Sequence, residues 1–318
     1  MSNFRRRLMQ SLKNKEYTEL EYIESTGTQY INTGITANNN PSITVNFSMT
    51  NNSVETQAVL GCRKQISGAM SYDIFYNILN NNSFRLDWTG SINQYVKINL
   101  NENINMELNA NGSVIVNGTQ YENVETKTGC DFNILIGNFI DKDGEPRAIG
   151  AYAKWKKVEI RENDNLVMDM IPVLDKNNVP CMYDKVNKEF YYNQGTGEFL
   201  YKEKSLFNTA NLQIGYAISA SGVVNANQNF NCTEFIPVNQ SKYIFSGISG
   251  KTSAWNLRIH AYDENKNWIK QILLQPISVG KTLDVNFEIN DETIKYIRAS
   301  IANENFTDYD LITLKEIS

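Results

Sequence analysis

The sequence predicts an all-β chain, two antiparallel β-sandwich domains in series over residues 17–203 and 204–318, preceded by a short basic N-terminal segment of residues 1–16. Three observations predict it. Apolar and polar residues alternate with a period of two over many short stretches. Asn-Gly pairs and other turn signals separate those stretches. The polar run from Tyr201 to Leu212 then divides 318 residues into two parts of domain size. With 41% hydrophobic and 20% charged residues the composition is that of a folded globular chain, which argues against wholesale disorder and against a coiled coil.

The first sixteen residues stand apart from this pattern. Phe4, Leu8 and Leu12 recur at a four-residue spacing beside Arg5, Arg6, Arg7, Lys13 and Lys15, so the segment reads as a helix with an apolar stripe and a basic remainder. A segment of this kind suits an anchor that orders on docking to a larger particle. No continuous apolar core of at least about seven residues follows the arginines, so a secretory leader is not expected. No stretch approaches the roughly 18 apolar residues of a membrane span, so no membrane insertion is expected.

From residue 17 onward the strands can be counted. Ile43, Val45, Phe47 and Met49 alternate with Ser42, Thr44, Asn46 and Ser48, the pattern of a half-buried antiparallel strand. Met106 and Leu108, then Asn111-Gly112, then Val114 and Val116, then Asn117-Gly118, read as a meander with two tight turns. Leu166, Met168 and Met170 continue the theme. Past the boundary it resumes with Tyr243 and Phe245, with Leu257, Ile259 and Ala261, with Leu283, Val285, Phe287 and Ile289, and with Ile297, Ala299 and Ile301. Asp263-Glu264-Asn265-Lys266 supplies a turn between two of these strands. Cys62, Cys130, Cys181 and Cys232 form no Cys-x-x-Cys pair, which points to buried reduced thiols rather than a zinc knuckle or a disulfide framework.

Two segments carry a family likeness. The run from Leu20 to Ile35, Leu-Glu-Tyr-Ile-Glu-Ser-Thr-Gly-Thr-Gln-Tyr-Ile-Asn-Thr-Gly-Ile, resembles the opening of the concanavalin A-like (laminin-G-like) sandwich domains of phage and prophage structural proteins. Ile171-Pro172-Val173, Met182-Tyr183-Asp184-Lys185-Val186-Asn187 and the run from Phe190 to Phe199 are similar to the closing segment of the same domains. In these segments Gly195 and Gly197 are expected to permit a turn closed to residues with a Cβ. Tyr22, Tyr30, Tyr183 and Phe190 are expected to supply rings to the core. The second half resembles the jelly-roll, carbohydrate-binding-module-like domains of phage tail and fibre proteins, through Gly215-Tyr216, Ser219–Gly222, Glu234–Val238, Ile259–Tyr262 and Ile294–Ile301.

The resemblance implies a virion structural protein, a fibre, spike or decoration subunit of head or tail. It would be assembled in the host bacterial cytoplasm with capsid, portal or tail proteins as partners and as a homo-oligomer, a trimer in fibres of this kind. A host-glycan receptor-binding lectin of the tail is the alternative. A net charge of -5 gives no global attraction to phosphate, so nucleic acid is not an expected partner.

Enzyme chemistry is not expected. Retaining glycosidases of lectin-like folds need two carboxyls about 5–5.5 Å apart, and the Glu-x-Asp-x-x-Glu and Glu-x-Asp-x-Glu patterns of the glucanase sandwiches are absent. Glu19, Glu21 and Glu24, and Glu159, Glu162 and Asp164, read as turns or solvated strand faces. His260, the one histidine, would have to serve every histidine-dependent role alone. With Arg258 and Tyr262 it forms a row on one strand face, read most plainly as partly exposed strand residues and alternatively as a sugar-binding row. Asp141-Lys142-Asp143-Gly144-Glu145 has the flavour of a Ca2+ loop, with Asp141 and Asp143 as ligands. It lacks a bidentate glutamate at position twelve, so an exposed turn is the plainer reading. No other cofactor is expected.

Overall fold

The computed structural model describes residues 17–64, 71–77, 81–88, 92–121, 130–207, 212–250, 254–302 and 312–317. The basic segment with Phe4, Arg5, Arg6, Arg7, Leu8 and Leu12 lies outside the described residues. The chain forms two compact units that divide between Glu203 and Lys204. It is all-β: every named strand pairing is antiparallel, and one 3-10 turn, Ala37–Asn39, is the only helix among the described residues.

The first unit packs a ten-stranded sheet against a six-stranded one. In the large sheet Ser42–Met49, Tyr152–Glu162, Tyr17–Thr26 and Asn165–Asp175 are central; in the other, Gln57–Arg63 lies between Asn133–Ile136 and Ser71–Tyr76. Period-two alternation sends Ile43, Val45, Phe47 and Met49 inward, and all four are buried in the core. Across the sheets Phe47 meets Phe84 edge-on at 5.8 Å, and within its own sheet it stacks on its cross-strand partner Trp155 at 5.3 Å. The indole N–H of Trp155, which burial would otherwise leave unpaired, donates to Ser25 Oγ at 3.0 Å. The two Asn-Gly turns differ. Asn117 and Gly118 both have positive φ in a two-residue hairpin, whereas at 111–112 only Gly112 does.

The two segments that carry the family likeness clasp one another. Tyr30 N–H donates to Asn193 Oδ1, Gln194 N–H to Tyr30 O, Gln29 Nε2 to Glu198 O and Thr28 Oγ1 to Thr196 O, at 2.8–3.1 Å. Asn193 also accepts from Gly195 N–H and donates to Gly197 O, both at 2.8 Å, which folds the 193–197 turn on itself. A Cβ on residue 195 would stand 1.8 Å from Thr28 O, and Gly197 has φ +74. Close approach requires the first glycine and backbone conformation the second.

The aromatic residues of these segments are not core residues. Tyr22, Tyr30, Tyr183 and Phe190 are half-buried and stand outside the core clusters, which corrects the expectation drawn from sequence. The reason for the last two is strand parity. On Pro180–Asp184 the inward positions belong to Met182 and Asp184, so Tyr183 and its pairing partner Phe190 face outward.

The second unit packs a sheet with the path Leu212–Ile218, Val224–Thr233, Tyr296–Ala302, Trp255–Tyr262 and Trp268–Ile277 against a three-stranded sheet of Thr282–Ile289, Ser241–Ser249 and Thr313–Ile317. Leu257, Ile259, Ala261, Ile297, Ala299 and Ile301 form one wall of its core. Tyr243, Phe245, Val285, Phe287 and Leu314 form the other. The Asp263 turn is held by its own side chain, whose Oδ1 accepts from Asn265 N–H and Asn267 N–H at 2.8 Å.

Replacing Gly195 by alanine forces Thr28 and the 193–197 turn apart, and overpacking of this kind costs about 1–3 kcal/mol. Chemical denaturation should show the transition of the first unit moved to lower denaturant and that of the second unchanged. An unmoved first transition would remove the clasp from the account of its stability.

Candidate functional site

Alternation places Arg258, His260 and Tyr262 on the face of their strand opposite the core, but that face is not an exposed row. His260 is 0% and Tyr262 4% exposed, and only Arg258 keeps partial exposure. The plain expectation of partly exposed strand residues is corrected for the first two. The covering group is Trp268, whose Nε1–H donates to His260 Nδ1 at 3.2 Å. A Cβ on Gly222 would stand 2.2 Å from the Trp268 ring, so the 219–223 turn lies directly on the indole. From the same hairpin Ile218 N–H donates to Ser300 Oγ at 3.2 Å.

Strand pairing brings further polar groups into the layer. His260 stands opposite Arg298 on one neighbouring strand and opposite Gln271 on the other. Arg298 donates through Nε to Thr233 O at 2.7 Å and through a terminal nitrogen to Gln213 Oε1 at 3.0 Å. Its guanidinium and Lys266 Nζ each lie 5.0 Å from the centre of the Phe235 ring. Among the described residues neither Arg258 nor Arg298 has a carboxylate partner. Among the described residues four buried side-chain atoms of the layer, Arg258 Nε, His260 Nε2, Tyr262 Oη and Gln271 Oε1, have no hydrogen-bond partner.

Sequence reasoning found three members of this layer and missed Trp268 and Gln271. Two β-bulges explain the miss, because Arg258, His260 and Tyr262 pair with Leu274, Gln271 and Trp268. One extra residue at each bulge turns the two-residue spacing of one strand into a three-residue spacing on its neighbour.

A concave feature belongs to the first unit. A cavity of about 270 Å³ is lined by Asp175, Lys176, Asn177, Phe190 and Tyr192. Beside it Tyr17, Tyr183 and Phe190 pack at centroid separations of 4.4–6.3 Å, and Tyr192 stacks 6.2 Å from Phe190 while remaining 40% exposed. Burial works against ionisation of Asp175. The amides of Val179 and Asn177 and the Tyr192 hydroxyl more than offset it, so the carboxyl sits below its ordinary pKa. Burial and that same carboxylate push the Tyr192 phenol up to about 12.

The other candidates are accounted for locally. Asp141 accepts from Arg147 at 2.7 Å and from Lys142 N–H at 2.8 Å, and Asp143 accepts from Lys142 Nζ at 2.5 Å. Among the described residues no three His, Cys, Asp or Glu side chains form a group that could hold a metal ion. Glu21 pairs with Lys202, and Glu159 with Lys157 and Arg161. All four cysteines are free and buried. Cys62 and Cys130, remote in sequence, share a hydrogen bond that, with burial, pushes the Cys62 thiol up. No protein-family model, curated protein or solved structure matches this chain.

Burial, and then the charges of Arg258 and Arg298, push the pKa of His260 from 6.5 down to about 4. The unfolded chain binds this proton near pH 6.5 and the folded chain only near pH 4, so between those values stability falls as pH falls. The loss from this one group reaches on the order of 3 kcal/mol by pH 4. Urea unfolding of the second unit from pH 7 to pH 4.5 should show a steeper decline in the native chain than in His260→Gln. Parallel curves would mean that the imidazole is not held neutral.

Proposed function

We propose that this chain is a structural subunit of a bacteriophage particle, a fibre, spike or decoration protein of head or tail that displays two β-sandwich units and performs no catalysis. The observation that carries the reading is the clasp. The two segments resembling the phage concanavalin A-like domains are the ones that hold each other, so the resemblance rests on residues that close a domain. A stable, closed sandwich that presents loops without a built catalytic centre suits a particle surface. Homo-oligomerisation, which the resemblance implies as a trimer, finds support in apolar side chains on both edge strands of the larger sheet in the second unit. Ile214 is 61% and Leu274 50% exposed there, and exposed apolar edges are commonly covered by another copy.

A host-glycan receptor-binding lectin is the second reading, favoured by the cavity beside Phe190 and Tyr192. Ring faces next to hydrogen-bonding groups are what a sugar requires. The glycosidase reading gains nothing from Glu21 and Glu159, which are held in ion pairs with Lys202 and with Lys157 and Arg161.

Mass spectrometry of purified particles should find the chain in stoichiometric amount, and deleting residues 2–16 should remove it from particles while leaving the free protein folded. A chain absent from particles would overturn the first reading. For the second, glycan-array binding should fall at least about tenfold in Tyr192→Ala; unchanged binding would place the lectin site elsewhere.

A further inference from the structure

We propose that the cavity of the first unit lined by Asp175, Phe190 and Tyr192 binds a quaternary ammonium group, and that Lys176 selects ligands carrying an anion beside that group. Phosphocholine has this chemistry. The inference rests on neither reading above: it needs only the cavity, and a sugar in the same place is an outcome of the test.

Charge leads to it. Asp175 is 7% exposed, and its carboxyl sits below its ordinary pKa, so it is ionised at neutral pH. Every group that holds it is neutral. Oδ1 accepts from the amides of Asn177 and Val179 at 2.8 Å each, and Oδ2 accepts from Tyr192 Oη at 3.1 Å and from Asn177 Nδ2 at 3.4 Å. Among the described residues no lysine or arginine forms an ion pair with it. A nearly buried charge that is compensated only by dipoles favours a cation beside it.

The hydrogen bonds decide what kind of cation. An ionised carboxylate offers about four acceptor positions, and the chain occupies all of them. A primary ammonium or a guanidinium would bring N–H donors with no acceptor left for them on Asp175. A quaternary ammonium brings charge without a donor, and aromatic rings hold such a group through their negative π faces. Phe190 and Tyr192 line the cavity with ring centroids 6.2 Å apart and planes 27° from parallel. Phe190 is itself packed against Tyr183 at 5.0 Å and Tyr17 at 6.3 Å, so this wall stands before a ligand arrives. The volume of about 270 Å³ lies just below the roughly 300–1,000 Å³ of pockets for drug-sized ligands, which suits a head group. Lys176 lines the same cavity from an exposed position. Its ammonium repels a bare cation and attracts an anion, which the phosphate next to a trimethylammonium supplies.

Isothermal titration of the full chain tests the site. Phosphocholine should bind at least about tenfold more tightly than neohexyl phosphate, in which carbon replaces the nitrogen, and than glucose. Asp175→Asn and Tyr192→Leu should each weaken phosphocholine at least about tenfold. Lys176→Gln should weaken phosphocholine several-fold without weakening choline. Should Asp175→Asn fail to fold by circular dichroism, Tyr192→Leu, at an exposed position, carries the test. Binding of phosphatidylcholine vesicles as well as free phosphocholine supports a lipid source, and binding of the free group alone supports a non-lipid one. No saturable heat with phosphocholine overturns the site. Neohexyl phosphate binding as tightly as phosphocholine overturns the role of the charge, and glucose binding as tightly overturns the ligand class. Phosphocholine affinity unchanged in the folded variants overturns the assignment of these residues.

Discussion

The first unit depends on a contact between the two ends of its chain. Residues 28–30 and 193–198 are joined by backbone and side-chain hydrogen bonds that fix where the Tyr17–Thr26 strand ends and where the edge strand Glu189–Tyr191 of the large sheet ends. Nothing local supplies these bonds, and closing a loop of this length costs conformational entropy before any contact forms. The reward comes only once the whole sandwich is assembled, so the contact is cooperative with the core around Phe47 and Trp155. Residues between the two segments can change their loops without touching it. Thr28, Asn193 and Gly195 have no such freedom.

The second unit solves the opposite problem, inner strands covered on both faces, Trp255–Tyr262 and Tyr296–Ala302. One face of Trp255–Tyr262 is apolar and needs only the three-stranded sheet. The other carries arginine, histidine and tyrosine, and would cost several kcal/mol to bury if it remained unpaired. Arg298 escapes that cost through Thr233 O, Gln213 and the Phe235 ring. Among the described residues Arg258 Nε does not, and neither do His260 Nε2, Tyr262 Oη and, on the neighbouring strand, Gln271 Oε1.

Sequence alone located the core with little error, because alternation is a direct consequence of strand geometry: Ile43 to Met49 and Leu257 to Ala261 point inward as their period requires. What it could not read was what lies on the outward face. His260 alternates as an exposed residue does, and only Trp268, brought over it by a bulge and a glycine turn, buries it. Tyr183 and Phe190 have the composition of core residues yet face outward, because hydrophobicity says nothing about which parity a short edge strand adopts. Asp175 and Tyr192 were missed for a related reason. Their hydrogen bond joins a turn to a strand end, with no period to reveal it.

Bulges and turns thus decide where this chain departs from its own alternation, and both polar surfaces lie at such departures. A regular strand repeats the same two environments, apolar and wet, and offers a ligand little that water does not. An inserted residue re-aims a side chain, as at Gln271 and Trp268, and a glycine lets backbone approach a ring, as at Gly222. The result is a polar layer whose His260 and Tyr262 are buried on a sheet face that alternation alone would have left wet. Such a layer costs least when its donors find acceptors. Among the described residues Arg258 Nε, His260 Nε2 and Tyr262 Oη find none, so the cost of burying them falls on the apolar core on the other face of the strand.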